Sequence, residues 1–232
     1  MRASIRRNDR SLVSMKNMPT NRLSNHRGFS MLELVVVIAV MLIVAGMALP
    51  NFLNATHSVR LKGAVSDFAT LLQTERIKAV GDDLYYSAYV LGGNPQVGFV
   101  DIYPQSAIGA SGHGGTQVDP RDPLTPINAE ISQQPVGRAP KTASLQALFL
   151  PPNAAVALYD GSVNPITFGP RGLPCSAPAG VCKTTVPAGD VAYWIFFQNN
   201  VTQNWGAVTV TPAGRIRRWL YTGGANATWA NY

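Results

Sequence analysis

A single carboxylate, Glu33, interrupts an otherwise apolar stretch near the N-terminus. An ionised side chain inside a membrane helix costs about 2.5–3.5 kcal/mol on insertion scales, so it needs a partner or a position near the interface. Cleavage after Gly28 would supply a partner, because it creates an α-amino group on Phe29. Glu33 of one subunit could then pair with that ammonium on a neighbouring subunit. The simpler alternative is a signal anchor that tolerates one charge near its end.

A second group of side chains suited to specific chemistry lies near the C-terminus, in the sequence PAGRIRRWLY at 212–221. Side chains alternate along a strand, so one face would carry Arg215, Arg217 and Trp219. The opposite face would carry Arg218 as a further cation. Guanidinium groups beside an indole suit a nucleic-acid backbone, and no acidic residue follows Asp190. The alternative is an edge strand whose arginines prevent pairing with other strands.

The two cysteines, Cys175 and Cys182, are separated by six residues. In an oxidising compartment this spacing favours a disulfide that closes a short loop. A zinc site would need two further ligands, and none lies nearby in the sequence.

No residue pattern predicts catalysis. The three histidines, His26, His57 and His113, have no metal-ligand spacing. Ser111 and His113 share a glycine-rich loop, but no orienting carboxylate or strand–turn–helix context accompanies them. Phosphate-loop and dinucleotide-binding fingerprints are also absent from the sequence. We therefore expect a protein that is not an enzyme, that has no metal site and that needs no cofactor.

The charge distribution predicts how the chain meets a membrane. Of the net charge of +7, the segment 1–28 carries +6, which keeps the N-terminus on the cytoplasmic side. Leu34 to Pro50 contains 17 residues without a charge, and with 29–33 it reaches the roughly 20 residues of a bilayer span. The apolar run follows the proposed cut, unlike that of a secretory signal peptide. The mature protein would therefore keep its anchor, and everything beyond Pro50 would lie outside the cytoplasm.

The chain is predicted to consist of four segments that position the carboxylate, the arginines and the cysteines. We expect a cleaved leader at 1–28, a membrane or filament-core helix at 29–50, an amphipathic helix at 51–80 and a β-rich head at 81–232. Helical spacing of apolar residues supports the amphipathic segment. The fold class is then α+β, with the long helix packed on an antiparallel, β-sandwich-like head.

Within the head, strands are predicted where β-branched and aromatic residues concentrate between turn residues. The expected strands are 84–90, 97–103, 147–150, 154–159, 165–168, 191–198, 205–211 and 215–221. Residues 104–142 are rich in Gly, Pro, Ser and Gln, and we expect them to form a long loop insertion without regular structure.

At Gly28, Phe29 and Glu33 the sequence resembles the type IV prepilin signal, in which a glycine precedes an aromatic residue and glutamate is fifth in the mature chain. The head is similar to the FimT/GspH group of minor pilins and pseudopilins. Two stretches carry that resemblance, ITFGPRG at 166–172 and VTVTPAGRIR at 208–217.

The resemblance implies a minor type IV pilin or pseudopilin that a prepilin peptidase cuts after Gly28 and N-methylates on Phe29. The protein is then expected to cross the inner membrane once. Its expected protein partners are other pilins or pseudopilins, with which it would assemble into a filament or prime one. A C-terminal Gly-Arg-x-Arg motif, matched at 214–217, is associated in FimT-like proteins with DNA binding during uptake. The alternative is a GspH-like minor pseudopilin of a type II secretion system, which contacts other pseudopilins or the exported protein.

Overall fold

The computed structural model describes residues 29–93, 95–103, 123–152, 156–175, 191–223 and 227–232. Within them the elements follow one another as α1 (Met31–Asp82), β1 (Tyr85–Leu91), β2 (Val97–Tyr103), β3 (Leu124–Pro126), β4 (Ile131–Gln134), a 3₁₀ turn (Val136–Arg138), α2 (Thr142–Phe149), β5 (Ala157–Asp160), β6 (Ile166–Phe168), β7 (Val191–Asn199), β8 (Trp205–Val210), β9 (Ile216–Thr222) and β10 (Thr228–Asn231).

The chain divides into two units, and the division falls inside α1, between Gly46 and Met47. The first unit is the apolar start of α1, and its side chains are exposed from Phe29 onward. Among the described residues, α1 is the one helix long and apolar enough to cross a membrane, with a mean hydropathy of 2.8 in its most apolar stretch.

The second unit, from Met47 onward, contains the two sheets. One has the strand order β3-β2-β1-β6, and the other has the order β10-β9-β8-β7-β4. Neighbouring strands are antiparallel in both, except that β5 pairs with β7 in parallel. The α+β class is therefore confirmed, with a long N-terminal helix followed by antiparallel sheets.

The main core lies where α1 meets the sheets. Apolar residues recur every three or four positions on α1, so they form one stripe that is buried from Leu61 to Ala79. The stripe packs on residues from both sheets, and the rings of Phe68 and Phe197 meet edge to face at 5.3 Å. Burying each large apolar side chain contributes roughly 1.5–3 kcal/mol, so this stripe is the main attachment of α1 to the head.

A second core lies on the other face of the larger sheet, beneath α2. It contains Leu145 and Phe149 of α2 and three tryptophans of the sheet, Trp194, Trp219 and Trp229. The C-terminal tail belongs to this core, because β10 pairs with β9 and the Trp229 indole donates to the Pro140 carbonyl at 3.0 Å.

One ionic contact ties α1 to the segment before β4. Glu130 accepts a hydrogen bond from His57 at 2.8 Å and a second one from Arg60. The hydrogen bond from His57 is the main reason why the pKa of Glu130 is lowered.

Two expectations about the middle of the chain are wrong. The predicted loop 104–142 contains regular structure from Leu124 onward, because Ile127 and Ile131 are buried and β4 pairs with β7. Residues 104–122 lie outside the description. The strand expected at 147–150 is instead the end of α2, since Leu145 and Phe149 are four residues apart and face the core together.

Candidate nucleic-acid interface

The turn between β8 and β9 presents the arginines that the sequence singles out. Thr211 and Arg215 close the turn, with the Thr211 N–H donating to the Arg215 carbonyl at 2.9 Å. The Arg215 N–H donates in turn to the Thr211 hydroxyl at 3.1 Å. Gly214 has φ +73°, which an L-residue adopts only with strain, so glycine fits this position. The turn therefore holds Arg215 at its end, one residue before β9 begins.

Side chains along β9 alternate between the two cores. Arg218 lies on the face that meets α1, where its Nη1 donates to the Ser66 hydroxyl at 2.8 Å and its guanidinium lies 5.2 Å from the centre of the Tyr232 ring. Arg217 lies on the other face and makes one long, exposed hydrogen bond there, from its Nη1 to the Leu148 carbonyl at 3.5 Å. Arg218 is thus held by protein groups, which leaves Arg215 and Arg217 as the better candidates for a ligand.

Trp219 does not form the aromatic platform that the sequence suggests. It is only 4% exposed, and its indole N–H donates to the Thr209 hydroxyl at 2.9 Å. The reason is that β9 carries a core on each face, so the aromatic side chain packs inward. We therefore remove Trp219 from the candidate interface.

Arg76 of α1 was not identified from the sequence as part of this site. From the helical pattern alone, Arg76 is one of several charged residues on the polar face of α1. Its Nη1 donates to the Gly214 carbonyl at 3.0 Å. Two glycine turns close around this guanidinium. A Cβ on Gly172 would lie 3.1 Å from Arg76 Nε, and a Cβ on Gly214 would lie 3.3 Å from Arg76 Cζ. The sequence signal that could have pointed to this contact is the pair of glycine-bearing stretches at 166–172 and 208–217. Gly172 and Gly214 in these stretches both have positive φ, and both approach the Arg76 side chain.

Arg76, Arg215 and Arg217 line one open groove of about 590 Å³. The rest of its lining is neutral: Gln73, Thr211, Ala213 and Ile216. Among the described residues, ion pairs are made by Glu130 alone, so none of the three groove arginines is paired with a carboxylate.

The charge of the groove lining is chemically suited to an anion. Three cations in one lining repel one another, and a bound anion relieves that repulsion. The planar guanidinium donates two parallel N–H bonds to a phosphate or a carboxylate, with charge-assisted strength. A phosphodiester backbone, with a negative charge on every unit, is a ligand of this kind.

The other predicted site residues lie elsewhere. Glu33 is exposed in the first turn of α1, and Phe29 is exposed just before it. Gly28 lies outside the described residues, so the cleavage site remains a prediction. The Cys175–Cys182 disulfide also remains a prediction, because Cys182 is not described. The backbone N–H of Cys175 donates to the Thr167 carbonyl at 2.9 Å, which fixes the position of Cys175 next to β6.

One comparison with known proteins gives a match. Residues 23–49 match the family described as the prokaryotic N-terminal methylation motif. No curated protein and no solved structure shows significant similarity to the chain.

Proposed function

Because the chain carries the methylation motif of a type IV prepilin-like pilin or pseudopilin, which prepilin peptidase processes, we propose that it is a minor pilin of the FimT/GspH type whose head binds nucleic acid. Cleavage falls between Gly28 and Phe29, and Phe29 receives the methyl group. The basic leader stays in the cytoplasm, the apolar start of α1 crosses the inner membrane once, and the head lies outside.

Assembly rests on the apolar start of α1 and on Glu33. This helical segment is exposed along its whole length, so other pilin helices can cover it in a filament. The Glu33 carboxylate then pairs with the Phe29 amine of a neighbour, where little water screens the attraction. The pair fixes the axial register of the subunit.

Glu33→Ala is expected to leave processing intact and to reduce incorporation into filaments by about tenfold, which corresponds to the loss of about 1.4 kcal/mol. Mass spectrometry of the mature protein checks the cut and the methyl group, and the protein recovered in sheared filaments measures incorporation. Glu33→Asp keeps the charge and serves as the control. Normal incorporation of the alanine variant would exclude the register role.

Nucleic-acid binding is supported by one observation, the groove in which Arg76, Arg215 and Arg217 lie without a carboxylate partner among the described residues. We expect this groove to bind duplex DNA through the phosphates, and such contacts carry little sequence preference. DNA uptake by a type IV pilus is the process that such a head would serve.

The variant Arg215→Ala/Arg217→Ala is expected to weaken binding of duplex DNA by about ten- to a hundredfold near 0.1 M salt. The slope of log affinity against log salt should become shallower by about 1.8, because two phosphate contacts are lost. Filter-binding titrations of the full-length protein in non-ionic detergent measure both quantities.

The control is Lys62→Ala/Arg138→Ala, which removes two charges from exposed positions outside the groove. Equal losses in the two double variants would mean that net charge, and not the groove, attracts DNA. Absence of salt-sensitive binding by the unchanged protein would overturn the nucleic-acid function itself.

A GspH-like pseudopilin of a type II secretion system is the second candidate. It is favoured by an open groove of about 380 Å³ beside α2, where Ala147, Leu150 and Val156 are among the lining residues and none of the described lining residues is charged. Such a lining suits a polypeptide better than a phosphate. A secretion defect with normal DNA uptake, when the gene is deleted, would favour this alternative.

A further inference from the structure

We propose that Arg76 of α1 is a third phosphate ligand of the groove, so that one phosphate is held between the helix and the β8–β9 turn. The proposal rests on the nucleic-acid function argued above and adds a ligand from a different element. It is independent of the Gly-Arg-x-Arg pattern, which lies wholly in the turn and the start of β9.

Arg76 has more hydrogen-bond donors than its protein partner uses. A guanidinium carries five N–H donors in a fixed plane. In the described part of the chain one atom is engaged, Nη1, which donates to the Gly214 carbonyl at 3.0 Å. Arg76 also lines the groove, so donors remain for a ligand there.

The surroundings of Arg76 orient the plane of its guanidinium group. The Gly172 and Gly214 turns pack so closely that a Cβ on Gly214 would lie 2.6 Å from the Gly172 carbonyl oxygen. The guanidinium lies against both turns, and its freedom to rotate is small. A donor plane that is oriented in advance loses less conformational entropy when it binds a phosphate.

No carboxylate compensates the positive charge of Arg76 in the described lining of the groove. Glu75 is the carboxylate nearest to Arg76 along the chain, but it is fully buried and does not line the groove. Burial raises its pKa well above the ordinary value, which favours the neutral acid. Arg76 therefore keeps its positive charge uncompensated next to Arg215 and Arg217.

Arg76 could affect DNA binding in two ways, by holding the Gly214 turn in place or by contacting a phosphate directly. A residue that only holds the Gly214 turn would change the affinity by a constant factor at every salt concentration. A residue that contacts phosphate also contributes to counterion release, and its loss makes the salt slope shallower by about 0.9. The slope therefore distinguishes a ligand from a positioning residue.

The experiment is a filter-binding salt series with a duplex of mixed sequence and the full-length protein in non-ionic detergent. Arg76→Gln should weaken binding several-fold and lower the slope by about 0.9, whereas Arg76→Lys, which keeps the charge, should retain the slope. Arg138→Gln, an exposed charge outside the groove, should change neither quantity. An unchanged slope in Arg76→Gln overturns the proposal.

A second variant keeps the test decisive if Arg76→Gln does not fold. Gln73 lies one turn before Arg76, is exposed and lines the same groove. Gln73→Arg should steepen the slope by about 0.9 if the helix side of the groove meets phosphate. No steepening overturns the proposal, whereas an unchanged protein that does not bind DNA at all overturns the nucleic-acid function as well.

Discussion

Gly206→Ala is expected to destabilise the head by about 1–3 kcal/mol, and Gly206→Val by more. Gly206 lies in β8, where the strand approaches α1, and a Cβ there would lie 2.6 Å from Val65 Cγ2. Val65 is fully buried and β-branched, so its χ1 rotamer is restricted and the methyl group cannot turn away. The added carbon therefore forces α1 away from the sheet. Urea unfolding followed by circular dichroism measures the loss as a lower midpoint.

Gly63→Ala is the matched control for this prediction. Gly63 lies on α1, two residues before Val65, but a Cβ there would meet nothing within 4 Å. Alanine in a helix interior is about 0.5–1 kcal/mol more favourable than glycine, so this variant should be stabilised. Adding Val65→Ala to Gly206→Ala should recover part of the loss, because it removes the clashing methyl group. Strict additivity of the two single changes would contradict the steric explanation.

Glu75→Met is expected to stabilise the protein by about 1–3 kcal/mol at neutral pH. Glu75 is fully buried in α1, and its carboxylate takes part in no ion pair among the described residues. Burial raises the pKa of this carboxyl well above its ordinary value, against a smaller lowering by the Phe168 backbone. Methionine is unbranched and apolar, so it can occupy the same space without a polar group to desolvate.

The pH dependence of stability gives the sharper test of the same residue. Because the pKa of Glu75 is raised in the folded state, the folded protein keeps a proton that the unfolded chain has already released. The contribution of Glu75 to stability should therefore be fully present below the unfolded pKa and should be lost as the pH rises through the folded pKa.

Glu75→Met should remove this fall in stability, whereas the exposed Asp67→Asn on the same helix should leave it in place. Urea midpoints between pH 4 and pH 8 measure the effect. A Met variant that retains the wild-type pH profile would show that another group is responsible.

The sequence was informative where the signal is local and periodic. The uncharged run after Glu33 and the apolar stripe around Phe68 predict α1, and alternation in β9 correctly separates Arg217 from Arg218. These patterns follow from the geometry of one helix or one strand, so no distant residue is needed to interpret them.

The failures have a common cause, which is that long-range pairing decides the outcome. Residues 131–134 lack an alternating apolar pattern, yet they become β4 by pairing with β7. Trp219 follows three arginines in the sequence, which suggests an exposed position, yet residues of α2 and β10 pack against it in the second core. Arg76 reaches the groove because Gly214 is brought next to it across 138 positions of the chain. Such proximity cannot be deduced from spacing along the sequence.

The tryptophans of the second core give the head an optical reporter of its own. Trp194, Trp219 and Trp229 are at most 9% exposed, and none of them lines the arginine groove. Their emission should be blue-shifted and shielded from soluble quenchers while the head is folded, and it should shift to the red when the second core opens. Since no indole lines the groove, the signal should stay constant while a phosphate ligand is titrated, so it reports whether the second core is folded without interference from ligand occupancy.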